Sequence, residues 1–516
     1  MKFSTLKRRP RYSKLPDAFY SQVKPEPAPN AVWVAFNRGL AEELGLDADA
    51  NTTDASLLEA LRGGALSEGD TPIAEVYAGH QFGSYVPRLG DGRAILLAEI
   101  EGRDGIVRDL QLKGAGKTPY SRFGDGRAVL RSCIREYLAS EAMHALGIPT
   151  SRALAVVGSD EKVQRETIET RALLLRVAPS HLRFGTFEYF YYRKEHDRIR
   201  ELIEYAIRNH FPEHQAQLSA DGVTPDLVEA LLRTVVRSTA QLMAAWQSVG
   251  FEHGVMNTDN FSLLGLTIDY GPYGFMDDYD PSWICNHSDE MGRYAFDQQP
   301  AIGLWNLKCL AQTWVPWLGT IVQEDGEPEW KVRAFRALEV YDGEFHSEFL
   351  LRMRTKFGLE TVGTPTESEI LEDGAIMRDG LEALQKSRGD YTLFFRRLAA
   401  VNPNSDWDSA EVLALRVIAR EADVLRPWLT RYQQRIQRDT RAPGERARLM
   451  NAVNPKYVLR NYLAQKAIES AEKGGFAETE KLHRVLTRPF DDQPELEAYA
   501  QPTPEWGKRL EISCSS

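Results

Sequence analysis

The residues with the clearest capacity for chemistry lie in His253-Gly-Val-Met-Asn-Thr-Asp259-Asn260 and, nine positions beyond Asn260, at Asp269 in Ile-Asp-Tyr-Gly. All three are hard oxygen donors. A divalent cation such as Mg²⁺ takes a few protein oxygens and completes its shell with water and substrate phosphate, so Asn260 and Asp269 are candidate ligands for Mg²⁺ or Mn²⁺. Asp259 is placed to accept a proton from a hydroxyl arriving at a metal-bound phosphate. Plain capped turns use the same residue types, but here the flanking elements favour chemistry. The spacing predicts two loops flanking a short apolar strand, Phe261 to Ile268.

A second group is cationic. Lys113 ends the apolar strand Leu110-Gln-Leu-Lys113 and needs an anionic partner there. Glu136, twenty-three residues on, sits at the edge of a helical apolar stripe with no cation three or four positions away. A Lys113–Glu136 pair would hold phosphate, and two unrelated surface charges are the equal alternative. Arg176 and Arg183 flank a Pro-Ser-His turn and could clamp a polyphosphate; surface ion pairs are the competing reading. Gly90-Asp-Gly92-Arg93 and Gly124-Asp125-Gly126-Arg127 could bring backbone N–H groups to phosphate, although such turns more often only connect strands. The aromatic run from Phe184 to Tyr192 reads as packing rather than base stacking.

The elements that must position these residues are partly legible. Glycines punctuate apolar runs at Ala94–Ile100 and Ile106–Leu112, which predicts antiparallel strands. A helix follows from Arg127 to Leu146, closed by Gly147 and Pro149. Ala153–Val157 and Ala172–Val177 read as strands, and the chain turns mainly helical from about Arg198. Thr224-Pro225 opens a long helix that ends at Gly250. Val32 to Leu46 also reads as helical. Glu324 to Glu329 and Gly363 to Glu369 read as surface loops, and the tail beyond Phe476 as a surface wrap. A sheet-rich unit, a helical unit and a metal loop after a long buried helix make the outline of a protein kinase. One residue departs from it: the kinase base sits five positions before the Asn, and that position is Val255.

Bulk properties narrow the class. The 516 residues are 43% hydrophobic and 27% charged, as in ordinary globular proteins. A net charge of −11 argues against a general nucleic-acid or anionic-membrane binder. No apolar run is long enough to span a bilayer, and the basic start (Lys2, Lys7, Arg8, Arg9, Arg11) has no apolar segment behind it to make a secretory signal. Four scattered cysteines suit a reducing cytoplasm better than a disulfide framework.

Tyr77-Ala-Gly-His-Gln-Phe-Gly83, Leu89-Gly-Asp-Gly-Arg93, Leu112-Lys-Gly-Ala-Gly-Lys-Thr-Pro-Tyr-Ser-Arg122, the His253–Asn260 run, Leu266–Pro272 and Asn454-Pro-Lys-Tyr-Val-Leu-Arg-Asn461 together resemble the selenoprotein O (SelO, also YdiU) family. The resemblance implies an α+β, protein-kinase-like two-lobed fold. It would comprise an N-terminal extension (1–70), a sheet-rich N-lobe (71–180), a helical C-lobe (181–450) and a C-terminal extension (451–516). It implies a pseudokinase that moves AMP from ATP to Ser, Thr or Tyr hydroxyls of proteins, with ATP seated in the orientation opposite to that in kinases. Lys113 would contact phosphates, held by Glu136. Gly90, Gly92, Arg93, Asp125, Gly126, Arg176 and Arg183 would line the nucleotide site, the last two on the outer phosphates. Asp259 would be the proton acceptor, with Asn260 and Asp269 holding Mg²⁺ or Mn²⁺. The partners implied are ATP and protein hydroxyls, without nucleic acid or membrane, for a monomer. Eukaryotic relatives carry selenocysteine where this chain has Cys514, and a bridge between Cys514 and Cys285 is an expectation alongside two free thiols. Ordinary phosphotransfer, transfer of UMP and a non-catalytic scaffold are the rival functions.

Overall fold

The computed structural model describes residues 2–47, 49, 55–64, 66, 69–322, 326–359 and 366–512. The strands among the described residues are β1 (Tyr20–Gln22), β2 (Val32–Phe36), β3 (Ile73–Glu75), β4 (Gly79–Gln81), β5 (Ser84–Val86), β6 (Ala94–Glu101), β7 (Val107–Lys113), β8 (Ala128–Val129), β9 (Arg152–Gln164), β10 (Ile168–Ala178), β11 (Phe251–Glu252) and β12 (Gly274–Phe275). The main sheet runs β1-β3-β6-β7-β10-β9-β2, with β8 also paired to β10, and every ladder is antiparallel. Helices used below are α1 (Arg38–Glu43), α2 (Ala55–Leu61), α3 (Leu130–Ala145), α4 (Phe184–Tyr192), α5 (His196–His210), α6 (Pro225–Val249), α7 (Gln299–Trp314), α8 (Val340–Phe357), α9 (Glu367–Ser387), α10 (Tyr391–Leu398), α11 (Leu425–Ile436), α12 (Asn461–Glu472) and α13 (Ala477–Leu486).

Strand alternation divides the sheet between two cores, because successive side chains point to opposite faces. Leu110, Leu112, Leu173, Leu175 and Val177 pack outward with Phe3, Leu6, Leu40, Leu57 and Leu61 of the N-terminal segments, including α1 and α2. Leu96, Ala172 and Leu174 pack inward against α3 and the helical region. A third core joins α8, α9, α10 and α11. The mixed architecture, an antiparallel sheet followed by many helices, agrees with the α+β expectation.

Local signals read correctly at α3 and α6. Thr224 caps α6 through its hydroxyl, Pro225 takes the first turn, and Gly250 ends it at φ +69°. Gly147, at φ +75°, ends α3. Three readings change. Val32–Leu46 is not one helix but β2 followed by α1. Residues 32–36 pair antiparallel with β9, with a register shift between Trp33 and Ala35, and the Asn37 side chain accepts the Leu40 N–H to start the helix only there. Phe261–Ile268 is not a strand but a tight turn with single bridges to Arg183, Thr150 and within itself. Its neighbours are loops rather than a sheet edge, so no ladder can propagate. The tail beyond Phe476 is not only a wrap, since α13 sends Leu482 and Leu486 into the main core and packs on α3. In the expected surface loops, residues 324–325 and 363–365 lie outside the described residues. Glu329 begins a helix and Thr366 caps α9 with a Thr366–Glu369 capping box. Among the described residues no helix is long and apolar enough to cross a membrane.

Candidate active site

The alternation that builds the cores also aims the cations. With Leu110 and Leu112 facing outward, Gln111 and Lys113 face inward, and Arg176 joins them because it pairs directly with Gln111 across β7 and β10. Arg176 Nη1 donates to Gln111 Oε1 at 3.0 Å. α3 lies against β9 and β10 and brings Glu136 to this face. Its carboxylate accepts from Lys113 Nζ at 2.7 Å and from Arg176 Nε and Nη2 at 2.6 and 3.1 Å. The paired reading of Lys113 and Glu136 therefore holds. Burial alone would push Glu136 up, but Arg176 and Lys113 outweigh it and keep the carboxyl below its ordinary value. Burial pulls Lys113 down, against Glu136.

The second half of the site is one loop pinned at its base and middle. β11 and β12 pair Phe251 with Phe275 and Glu252 with Gly274, closing the loop between them. His253 stacks on Trp246 and its Nε2 lies 2.8 Å from the Ile268 carbonyl oxygen, which sets the position of Asp269. Trp246 Nε1 donates to Thr267 Oγ1 at 2.9 Å. A single 3₁₀ turn, Thr258–Asn260, presents Asp259. Thr258 Oγ1 donates to Glu188 Oε2 at 2.7 Å, and the other Glu188 oxygen is 2.9 Å from His80 Nδ1. His80, Glu188 and Cys309 bring their polar atoms within 4.8 Å of one another; Glu188 uses both oxygens to hold the turn.

The two aspartates differ sharply. Asp269, in the left-handed region at φ +56°, meets Arg176 Nη1 at 3.0 Å through one oxygen and Arg183 through the other. Burial raises its carboxyl, but the two guanidinium groups hold it far below the usual carboxylate range. Asp259 is 7% exposed; among the described residues its Oδ1 has no hydrogen-bond partner, and Gln81 Nε2 reaches Oδ2 only at 3.4 Å. Burial pushes this carboxyl up to about 7, against the pull of Arg183. Arg183 spends a 2.6 Å hydrogen bond on the Asp259 main-chain carbonyl and lies over the Tyr77 ring at 4.4 Å.

A cleft of about 740 Å³ gathers Gly90, Gly92, Arg93, Lys113, Asp125, Gly126, Arg176, Asp259, Asn260 and Asp269 on its walls. Glu136 and Arg183, both 1% exposed, stand behind that wall. Arg183 therefore supports Asp269 and the Asp259 turn in this structure and does not face the cleft beside Arg176, as the clamp reading expected. Gly126 has φ +71°, and a side chain there would meet the Gly116 carbonyl oxygen at 2.0 Å, so its turn packs as bare backbone. Asp125 accepts both terminal nitrogens of Arg165 at 2.9 and 3.0 Å. A Cβ at Gly79 would lie 2.4 Å from Asp259 Oδ1, so the Tyr77–Gly83 segment closes over that carboxyl.

The donor set suits a hard divalent ion. Asn260 Nδ2 is tied to the Val255 carbonyl at 3.0 Å, which leaves its Oδ1 for a cation. Asp269 stays ionised, and each of its oxygens keeps a second acceptor site beside the arginine contact. Residues that the sequence reading left without a role are Tyr77, Gln81, Gln111 and Arg165. Gln111 was findable as the polar residue two positions before Lys113 on the same strand face. Tyr77 and Gln81 stood in a quoted motif but meet their partners only through the fold. Cys133, Cys285 and Cys309 are free thiols; Cys514 lies outside the described residues, and so does the expected bridge. Cys285 is buried, with its thiol pushed well up by burial and the Glu252 carboxylate.

A family model described as protein adenylyltransferase SelO matches residues 2–487. The chain is 49% identical over 505 residues to a protein named protein nucleotidyltransferase YdiU from Thioalkalivibrio sulfidiphilus, covering 98% of each. It is 48% identical over 506 residues to the protein of the same name from Thiobacillus denitrificans, and 47% identical over 512 residues to that from Vibrio parahaemolyticus, again at 98% of each. With matches along nearly its whole length, this chain belongs to the SelO family of protein adenylyltransferases.

Proposed function

We propose that this protein transfers AMP from ATP to Ser, Thr or Tyr hydroxyls of other proteins. The observation that carries the reading is Asp259: a cleft-lining carboxyl with an unpartnered buried oxygen, held near 7 beside an aspartate held fully ionised. In a general base the ideal pKa lies near the working pH. The acceptor oxygen attacks the α-phosphorus, the bond to the bridging α,β-oxygen breaks, and pyrophosphate leaves; the hydroxyl proton goes to Asp259. Lys113 and Arg176 are the cations that would meet the charge building on the β,γ end. Mg²⁺ or Mn²⁺ on Asn260 and Asp269 would neutralise phosphate charge and orient the reacting group.

The family resemblance supports a kinase-like arrangement, with residues 71–180 as the sheet lobe, 181–450 as the helical lobe, 1–70 and 451–516 as extensions, and ATP seated opposite to its kinase orientation. Val255 at the kinase base position supports it too. The few scattered cysteines support a reducing cytoplasm, and the family resemblance supports a monomer with ATP and protein hydroxyls as partners. ATP labelled at the α- or the γ-phosphate tests the chemistry: α-label retained on protein is expected, and γ-label alone would overturn it. The relatives' name, nucleotidyltransferase, leaves the base open, so competition by UTP against α-labelled ATP tests the choice of AMP over UMP.

A further inference from the structure

Lys356, in the last turn of α8, is 4% exposed. Among the described residues its ammonium meets no carboxylate and no hydrogen-bond acceptor; it lies over the Phe395 and Tyr391 rings, 4.4 and 5.8 Å from their centroids. Burial pulls the amine down to about 7. The carbonyls at the end of α6 are already used: Tyr391 Oη donates to Gln247 and Ser248 oxygens at 3.2 and 3.1 Å, and the Gly250 N–H turns back on Trp246 and Gln247. An ammonium taken from water without an anionic or hydrogen-bonding partner is costly, and a group so perturbed beside a cavity marks a candidate site.

Lys356 lines a cavity of about 310 Å³, separate from the cleft above, with Arg352 and the apolar Leu146, Val249, Val453 and Phe490 among its other walls. Among the described residues no carboxylate lines it, and Arg352 is matched by Glu348 at 2.7 Å, so Lys356 is the cation left over there. The volume lies at the lower end of small-molecule sites, which are mostly apolar with a few placed polar groups.

We propose that this cavity is a second ligand site, which takes a small amphipathic carboxylate with its anionic head on Lys356 and its hydrocarbon body against the apolar walls. The site stands independently of the adenylyl-transfer reading. Its floor includes Gly147 and Ser248–Val249, the ends of the helix that carries Glu136 and of the helix that leads into the Asp259 loop. An occupant therefore braces both.

Octanoate, octan-1-ol and acetate, titrated separately into the full-length protein and followed by calorimetry and thermal unfolding, test the proposal. Octanoate is expected to bind at one site and raise Tm with concentration; octan-1-ol lacks the charge and acetate the body, and each is expected to bind at least tenfold more weakly. Lys356→Met, which removes an unpaired buried charge at nearly constant length, is expected to fold and to lose octanoate affinity tenfold or more. Arg352→Met is expected to change it less than threefold. Absence of octanoate binding, octan-1-ol binding as tightly as octanoate, or an unchanged affinity in Lys356→Met would each overturn the proposal. The ligand comparison on the wild-type protein decides it even without the variants.

Discussion

The turn at Thr258–Asn260 and the turn at Asp269 belong to one loop and line one cleft, and each presents an aspartate. Asp269 receives two guanidinium groups and stays ionised. Asp259 has Arg183 close by as well, but that arginine hydrogen-bonds its main-chain carbonyl, and the carboxyl is left with one long contact from Gln81 and an unpartnered oxygen. The same side chain is thus sorted into two roles by where neighbouring donors point. Carboxyls whose environments drive their pKa values apart mark acid–base assignments. The ionised member suits a cation and the near-neutral member suits a proton.

The comparison breaks most visibly at Arg176, which joins Glu136 and Asp269. Arg176→Ala should lower the rate of AMP transfer roughly 10³–10⁵-fold, by analogy with an arginine on transferring phosphate. Single-turnover transfer from α-labelled ATP measures it, and a loss under tenfold would remove Arg176 from the chemistry. Glu136→Gln should follow, since it takes the carboxylate from buried Lys113 and one of two from Arg176; loss of one partner of a buried pair costs about 3–5 kcal/mol, read as a lowered midpoint in urea.

Asp259→Asn addresses the other carboxyl. It should cut the rate roughly 10²–10⁴-fold while leaving ATP binding nearly intact. In the wild type, kcat/KM should climb about tenfold per pH unit below pH 7 and level above it, and the asparagine variant should lose that limb. Stability should respond with the opposite sense. The folded carboxyl titrates near 7 and the unfolded one near 3.8, so between these values the folded state holds a proton that the unfolded chain has lost. Wild-type stability therefore falls as pH rises through that window, and Asp259→Asn should remove this contribution. A rate limb that survives in the variant would show that another group titrates. The smallest change is Gln81→Leu, which deletes a side-chain donor to Asp259 and should move the limb upward by a fraction of a pH unit, at a few-fold cost in rate near pH 7.

Much of the framework was legible because its signals are local. Proline at the start of α6 and the glycines that end α3 and α6 act within a turn of themselves. Alternation along β7 and β10 sets which residues share the face of Lys113 and Arg176. Val32–Leu46 misled because an apolar stretch carries a mixed period, and only the Asn37 cap tells where strand gives way to helix. Phe261–Ile268 misled because apolar residues in a tight turn can be buried by surrounding loops without any ladder.

From the chain alone came the identities of the cleft residues, the Lys113–Glu136 pairing as an even choice, and the metal-ligand pair as a spacing. The tertiary structure decided that the pairing forms, that Arg183 stands behind Asp269, that Lys356 is buried with no counter-ion among the described residues, and that Asp259 is raised to about 7 while Asp269 is held far below the usual carboxylate range. The reason is physical. Helix ends and strand faces depend on neighbours a few residues away, whereas the charge on a buried group depends on solvent exclusion and on donors such as Arg183 and Gln81, which are distant in sequence and reach it only when sheet, helix and loop close together.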